Sequence, residues 1–163
     1  TPNRVGGLTA DCIKGIWESR KFGLILVKAD GARSRLVKAP AAYEPLIPAF
    51  TNIVVPIASA QIIGQHLATS IPHRPELLSK IMGIDVGDRI LPMHLAQLLG
   101  SEMGSLKNAG NARVCPILNM VDNSDTLTLA IETARIALTL TKRFDQIILA
   151  EMRHSRIVEI ISR

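Results

Sequence analysis

Hydrophobic and polar positions alternate along this chain in blocks that predict strands and helices in turn. Between Thr9 and Lys21, Ile13, Ile16 and Trp17 recur at helical spacing behind Thr9 or Asp11 as a cap, predicting a short helix. Phe22 to Val27 is then apolar almost throughout, which predicts a strand buried on both faces. From Asp30 to Ala49 the chain holds Gly31, Pro40, Pro45 and Pro48 among charged residues, so neither a helix nor a central strand can continue there. A second strand is predicted from Thr51 to Ala58, and a helix from Ser59 to Ala68 behind a serine cap.

Further on, Pro75 to Met82 reads as a helix with proline at its first position, where the missing N–H costs little. Arg89 to Leu91 is short and extended, Pro92 to Glu102 is helical, and Gly104 to Asn111 is a turn. Ala112 to Leu118 is a strand. Asn123, Ser124 or Asp125 then caps a long helix carrying Leu127, Ile131, Ala134 and Leu138 at three- to four-residue spacing. Two final strands are expected over Asp145 to Glu151 and Arg156 to Ile161. Strands alternating with helices imply an α/β fold of three layers, a mostly parallel sheet with helices on both faces.

Composition narrows this picture without changing it. The chain has 163 residues, enough for one domain over 1–163 with a sizeable core, and its 47% hydrophobic content excludes a disordered tail. Pro45 to Pro72 contains no Asp, Glu, Lys or Arg, but Pro45, Pro48, Pro56, Asn52, Gln61, Gln65 and His66 divide it and argue against a membrane span. Cys12 and Cys115 have no metal-ligand spacing, and a reducing, cytoplasmic setting is expected. The net charge of +5 suits phosphate-bearing ligands. With one Trp, one Tyr and three Phe available for stacking, nucleic acid is not the expected partner.

In parallel sheets ligands bind beyond the carboxyl ends of strands, and this selects two segments. The first is Lys28-Ala29-Asp30-Gly31-Ala32-Arg33, continuing to Arg35 and Lys38. A carboxylate at a strand end can hold Mg²⁺ directly or through water, and a glycine beside it admits a ligand to the backbone. Lys28, Arg33, Arg35 and Lys38 can neutralise phosphate oxygens, although Asp30-Gly31 also reads as a plain turn. The second is Asn119-Met120-Val121-Asp122. Many GTPases end a strand in Asn-Lys-x-Asp, whose carboxylate accepts two N–H groups of guanine; here Met120 replaces the Lys, and Asn and Asp are also favoured helix caps. His73-Arg74 can touch an anion or simply precede a helix. There is no Gly-x-x-x-x-Gly-Lys-Ser/Thr loop, so a phosphate cradle lies upstream of Thr1, has degenerated, or was never present.

Taken together, Leu26 to Arg33, Lys38-Ala39-Pro40, Glu44-Pro45-Leu46-Ile47-Pro48, His73-Arg74-Pro75-Glu76, Gly104-Ser105-Leu106-Lys107 and Leu118 to Asp122 resemble the YqeC family. The resemblance implies a P-loop NTPase-like nucleotide-binding protein that uses Mg²⁺ with ATP or GTP. It also implies an accessory role in maturing a selenium-dependent molybdenum hydroxylase, with that enzyme or its maturation proteins as partners. By this analogy Asp30 is the Mg²⁺-associated and, with Lys28, catalytic residue. Gly31, Arg33, Lys38, Glu44, His73, Arg74, Asn119 and Asp122 bind the nucleotide. Lys28 stands where members commonly have Glu, and Met120 where many have Lys. The alternative is a non-catalytic module that docks an acidic partner through the basic loop 28–38.

Overall fold

The structure, a computed structural model, describes residues 7–68 and 72–163. It is α/β, with parallel strands linked through helices. Helix α1 (Ala10–Glu18) is capped by the Thr9 side chain, which accepts from the Cys12 N–H. Strands β1 (Ile53–Val54) and β2 (Ile57–Ser59) are followed by α2 (Pro75–Met82) and α3 (Pro92–Gly100). After them come β3 (Arg113–Val114), β4 (Ile117–Asn119), α4 (Ser124–Leu140), β5 (Gln146–Glu151) and β6 (Arg156–Ser162). The main sheet runs β2-β4-β5-β6, with β6 antiparallel at its edge, while β1 pairs β3 in a small parallel ladder. Each of the two expected inner strands is broken by a proline, Pro56 and Pro116, which has no N–H to give to a ladder.

One face of the sheet forms the core. Ala58, Leu118, Ile147 and Leu149 join a single buried cluster with Leu95, Leu99, Ala130, Ala134 and Leu138 of α3 and α4. Helix α4 lies along β5 and β6, α3 packs on α4, and α2 packs on α3. Small residues at Ala130, Ala134 and Ala137 let α4 approach closely. The other face follows from the same register: Ile57, Ile117, Ile148 and Ile160 stand in one row across all four strands. At its ends Ile57 is 66% and Ile160 49% exposed, while Ile117 between them is buried, so the expected helical cover is present on one face and leaves the two ends of this row open. No helix among the described residues is long and apolar enough to cross a membrane.

Two expected elements are replaced. Phe22 to Val27 forms no strand; Leu24 is 75% and Leu26 86% exposed. An apolar run becomes a strand only beside a strand edge, and the nearest one, β1 and β2, lies across a wide groove that both segments line. The expected helix 59–68 stops after one 3-10 turn (Ala60–Ile62), although its serine cap is real, with Ser59 Oγ accepting from the Gln61 N–H. Beyond it the backbone pairs instead with 87–90: Gly64 N–H donates to Ile90, Ile90 N–H to Gln65, and Leu67 N–H to Asp88. Gly64 has φ 88°, where a glycine escapes the strain other residues would carry.

Candidate functional site

The loop after residue 27 is organised by one buried ammonium. Lys38 has a side chain only 6% exposed, and its Nζ lies 3.0 Å from Asp30 Oδ2 and 2.8 Å from Glu44 Oε2. The chain at Lys38 is extended and held beside His73: His73 N–H donates to the Val37 carbonyl, and Ala39 N–H to that of His73. Arg74, which precedes α2 with a left-handed φ of 67°, turns its guanidinium back onto Glu44 Oε2 at 2.6 Å and the Ala39 carbonyl at 3.0 Å. The Ala41 N–H completes the set on Glu44. The Arg74 hydrogen bond, helped by Lys38 and Ala41 against the opposing effect of burial, brings the Glu44 carboxyl down from 4.5 to about 2. Arg74 is correspondingly held protonated by Glu44.

The far side of the loop is tied to the turn before β3. Lys107 Nζ donates to the Ala41 and Ala42 carbonyls, and Asn108 Nδ2 donates to the Pro45 carbonyl at 2.9 Å. His73 Nδ1 is buried without a hydrogen-bond partner among the described residues. Burial first, then Arg74, Arg33 and Lys38, depress its basicity, so the ring is held neutral.

In front of this cluster lies a groove of about 1490 Å³. Lys28, Asp30, Gly31, Lys38, Ser59 and Asn119 line it at the carboxyl ends of β2 and β4. The groove therefore brings Lys28, Asp30, Gly31, Lys38 and Asn119 together. Glu44, His73 and Arg74 stand behind Lys38 as its support, and Arg33, with a left-handed φ of 52°, is exposed in the same loop. Asp122 is placed elsewhere: it accepts from Gln61 Nε2 at 2.8 Å, near a smaller cavity of about 370 Å³ lined by Gln61 and Asn123. Asn119 Oδ1 accepts from the Met152 N–H at 3.0 Å and so pins the turn after β5 to β4.

Sequence reasoning passed over Gln61 and Asn108; Lys107 stood in a quoted motif without a role. The signal for Gln61 was its place two residues past a strand end that pairs, Ser59 with Asn119, beside the Asn-x-x-Asp segment. Among the described residues no group of three or more His, Cys, Asp or Glu is arranged to hold a metal ion. Asp30 offers one carboxylate, which suits a Mg²⁺ that arrives on a nucleotide, since Mg²⁺ keeps several waters and needs one or two protein carboxylates besides phosphate.

Residues 1–76 match the family model described as YqeC protein. The chain is 28% identical over 105 residues to the uncharacterized protein YqeC of Escherichia coli (strain K12), an alignment covering 64% of this chain and 41% of that relative. It thus spans about two fifths of the relative's length. No solved structure matches the chain. Both comparisons agree with the resemblance to the YqeC family that the motifs from Leu26 to Asp122 carry.

Proposed function

Starting from the similarity to YqeC proteins, we propose that this chain is the nucleotide-binding part of a P-loop NTPase-like accessory protein that serves maturation of a selenium-dependent molybdenum hydroxylase. The observation that carries the reading is the groove at the strand ends, where Lys28, Asp30, Gly31 and Lys38 meet Asn119. A ligand there faces the Lys28 ammonium, the Asp30 carboxylate held by Lys38, and a glycine backbone. Lys28 reaches over Gly31, where a Cβ would stand 3.8 Å from the Lys28 Nζ, at ordinary contact distance. In this reading Lys28 neutralises phosphate oxygens and Asp30, steadied by Lys38, faces the Mg²⁺ that accompanies ATP or GTP. Mg²⁺ would supply charge neutralisation across the phosphates.

The paired cations favour this over docking of an acidic partner through loop 28–38. Lys38 spends its charge on Asp30 and Glu44 inside the loop and presents almost no surface. The test is thermal unfolding of the chain, and of a form extended upstream of Thr1, titrated with ATP and GTP in the presence of Mg²⁺. A midpoint that rises with nucleotide supports the reading, because a ligand stabilises only the state that binds it. Asp30→Ala is expected to remove that rise. Binding by the extended form alone assigns the phosphate cradle to upstream residues; no rise in either form returns the loop to partner docking.

A further inference from the structure

Strands β1 and β2 each pair on one side alone, and their outer side carries a row of open backbone groups. On the inner side Asn52, Val54 and Pro56 give their carbonyls to the N–H groups of Arg113, Cys115 and Ile117. Successive residues of a parallel strand direct their backbone groups to opposite sides, so Ile53, Val55 and Ile57 turn N–H and C=O outward, into the groove. Among the described residues these three have no backbone partner there. Outer pairing begins only at Ser59, whose N–H donates to the Leu36 carbonyl. Sheet edges are ordinarily guarded by charge, by proline or by a bulge. This edge has no such guard: 45–72 holds no charged residue, and Pro56 interrupts the inner side, where its carbonyl meets Ile117, and not the outer.

The same molecule exposes what such an edge takes. Residues 22–27 carry no charge, and their backbone makes no hydrogen bond to another described residue. In an extended chain Leu24 and Leu26 share a face, as do Ile53, Val55 and Ile57, so pairing sets one apolar row beside the other. Within one copy the two segments stay on opposite walls of the groove, because 22–27 is anchored at both ends. Before it Trp17 of α1 stacks on Phe50, and after it Asp30 is held by Lys38. Two copies about a twofold axis satisfy both segments at once, the 22–27 of each lying on the edge of the other. Phe22, Leu24, Leu26, Ile53, Val55 and Ile57, each about half exposed or more, hold on the order of 700 Å² of open surface per copy, near the ~800 Å² per partner of a stable interface.

We propose that this chain forms a twofold dimer by mutual strand addition, with residues 22–27 of one copy pairing with the 53–57 edge of the second. The proposal is independent of the nucleotide reading. It is tested by sedimentation equilibrium of the full chain, where a monomer–dimer equilibrium with a Kd at or below about 10 µM is expected. Leu24→Lys and Val55→Lys each place a charge at an exposed position of one half of the contact. Each is expected to weaken the dimer at least about tenfold with an unchanged far-UV circular dichroism spectrum, which shows that the fold persists. Hydrogen exchange separates strand pairing from loose apolar association: the amides of residues 53, 55 and 57 and of 22–27 are expected to slow as the chain concentration passes through the Kd. A monomer at about 100 µM overturns the proposal, as does a dimer that both lysine variants leave intact or one without that protection. A form extended upstream of Thr1 that is monomeric, with residues 53, 55 and 57 protected at every concentration, assigns the edge to the chain's own preceding residues and overturns the second copy as its occupant.

Discussion

Replacing Glu44 by Gln keeps the size of the side chain and removes the charge on which Lys38 and Arg74 converge. The carboxyl falls from 4.5 to about 2 on folding, and at about 1.4 kcal/mol per pH unit this corresponds to about 3 kcal/mol of stability at neutral pH. The Glu44 side chain is 20% exposed, and solvent screening brings the working figure to about 2 kcal/mol. A pKa depressed on folding gives stability that is complete above 4.5 and is lost as the pH falls toward 2. Urea unfolding of Glu44→Gln at pH 7 is therefore expected to show a loss of about 2 kcal/mol, with a midpoint in heating lower by roughly 4–8 °C. Repeated at pH 5, 4, 3 and 2, the gap between the two proteins closes as the wild-type carboxylate is protonated. A gap below about 0.5 kcal/mol at pH 7, or one that persists undiminished at pH 2, would refute the reasoning that the charge of Glu44 holds this loop.

Gly104 is buried in the turn after α3, and a Cβ placed there overlaps the Leu98 carbonyl, so Gly104→Ala is expected to cost about 1–3 kcal/mol in urea unfolding. Leu118 is fully buried at the centre of the sheet, and Leu118→Ala is expected to cost about 2–5 kcal/mol by the same measurement. Thr133 is buried with its hydroxyl bonded to the Leu129 carbonyl of its own helix; Thr133→Val removes donor and acceptor side by side with little change of shape. Since that carbonyl keeps its place in the helix, thermal unfolding is expected to move by less than about 1 kcal/mol.

Helix ends were the most legible feature. Thr9, Ser59 and Asn123 each cap the turn their sequence announced, and Pro75 and Pro92 open α2 and α3. These signals are local, set by one side chain and the three N–H groups after it. Strands depend on partners far away, and the sequence of Phe22 to Val27 carries no information about which edge is free to receive it. The region 59–68 was read as a helix because it lacks charges and starts with serine; its fate was decided by Asp88 and Ile90, twenty or more residues on. In the site, the residues were visible as basic and acidic positions of one loop. Their pairing was not: Lys38 read as a cation for phosphate is, in the fold, the counter-ion of two carboxylates, and only the extended pairing of 37–39 with His73 makes that meeting possible.

The exposed ends of the isoleucine row have a practical consequence for every experiment above. Dyes that fluoresce on apolar surface are commonly taken to report loosened or unfolded protein. Here Ile57 and Ile160 offer such surface in the native fold, at the two ends of a row that spans the sheet. A dye-based melting curve will start from a bright baseline, and dye bound to the native state will shift the equilibrium it is meant to observe. Calorimetry, or the fluorescence of Trp17 where it stacks on Phe50 with ring centres 5.6 Å apart, reads the same transition without touching that face.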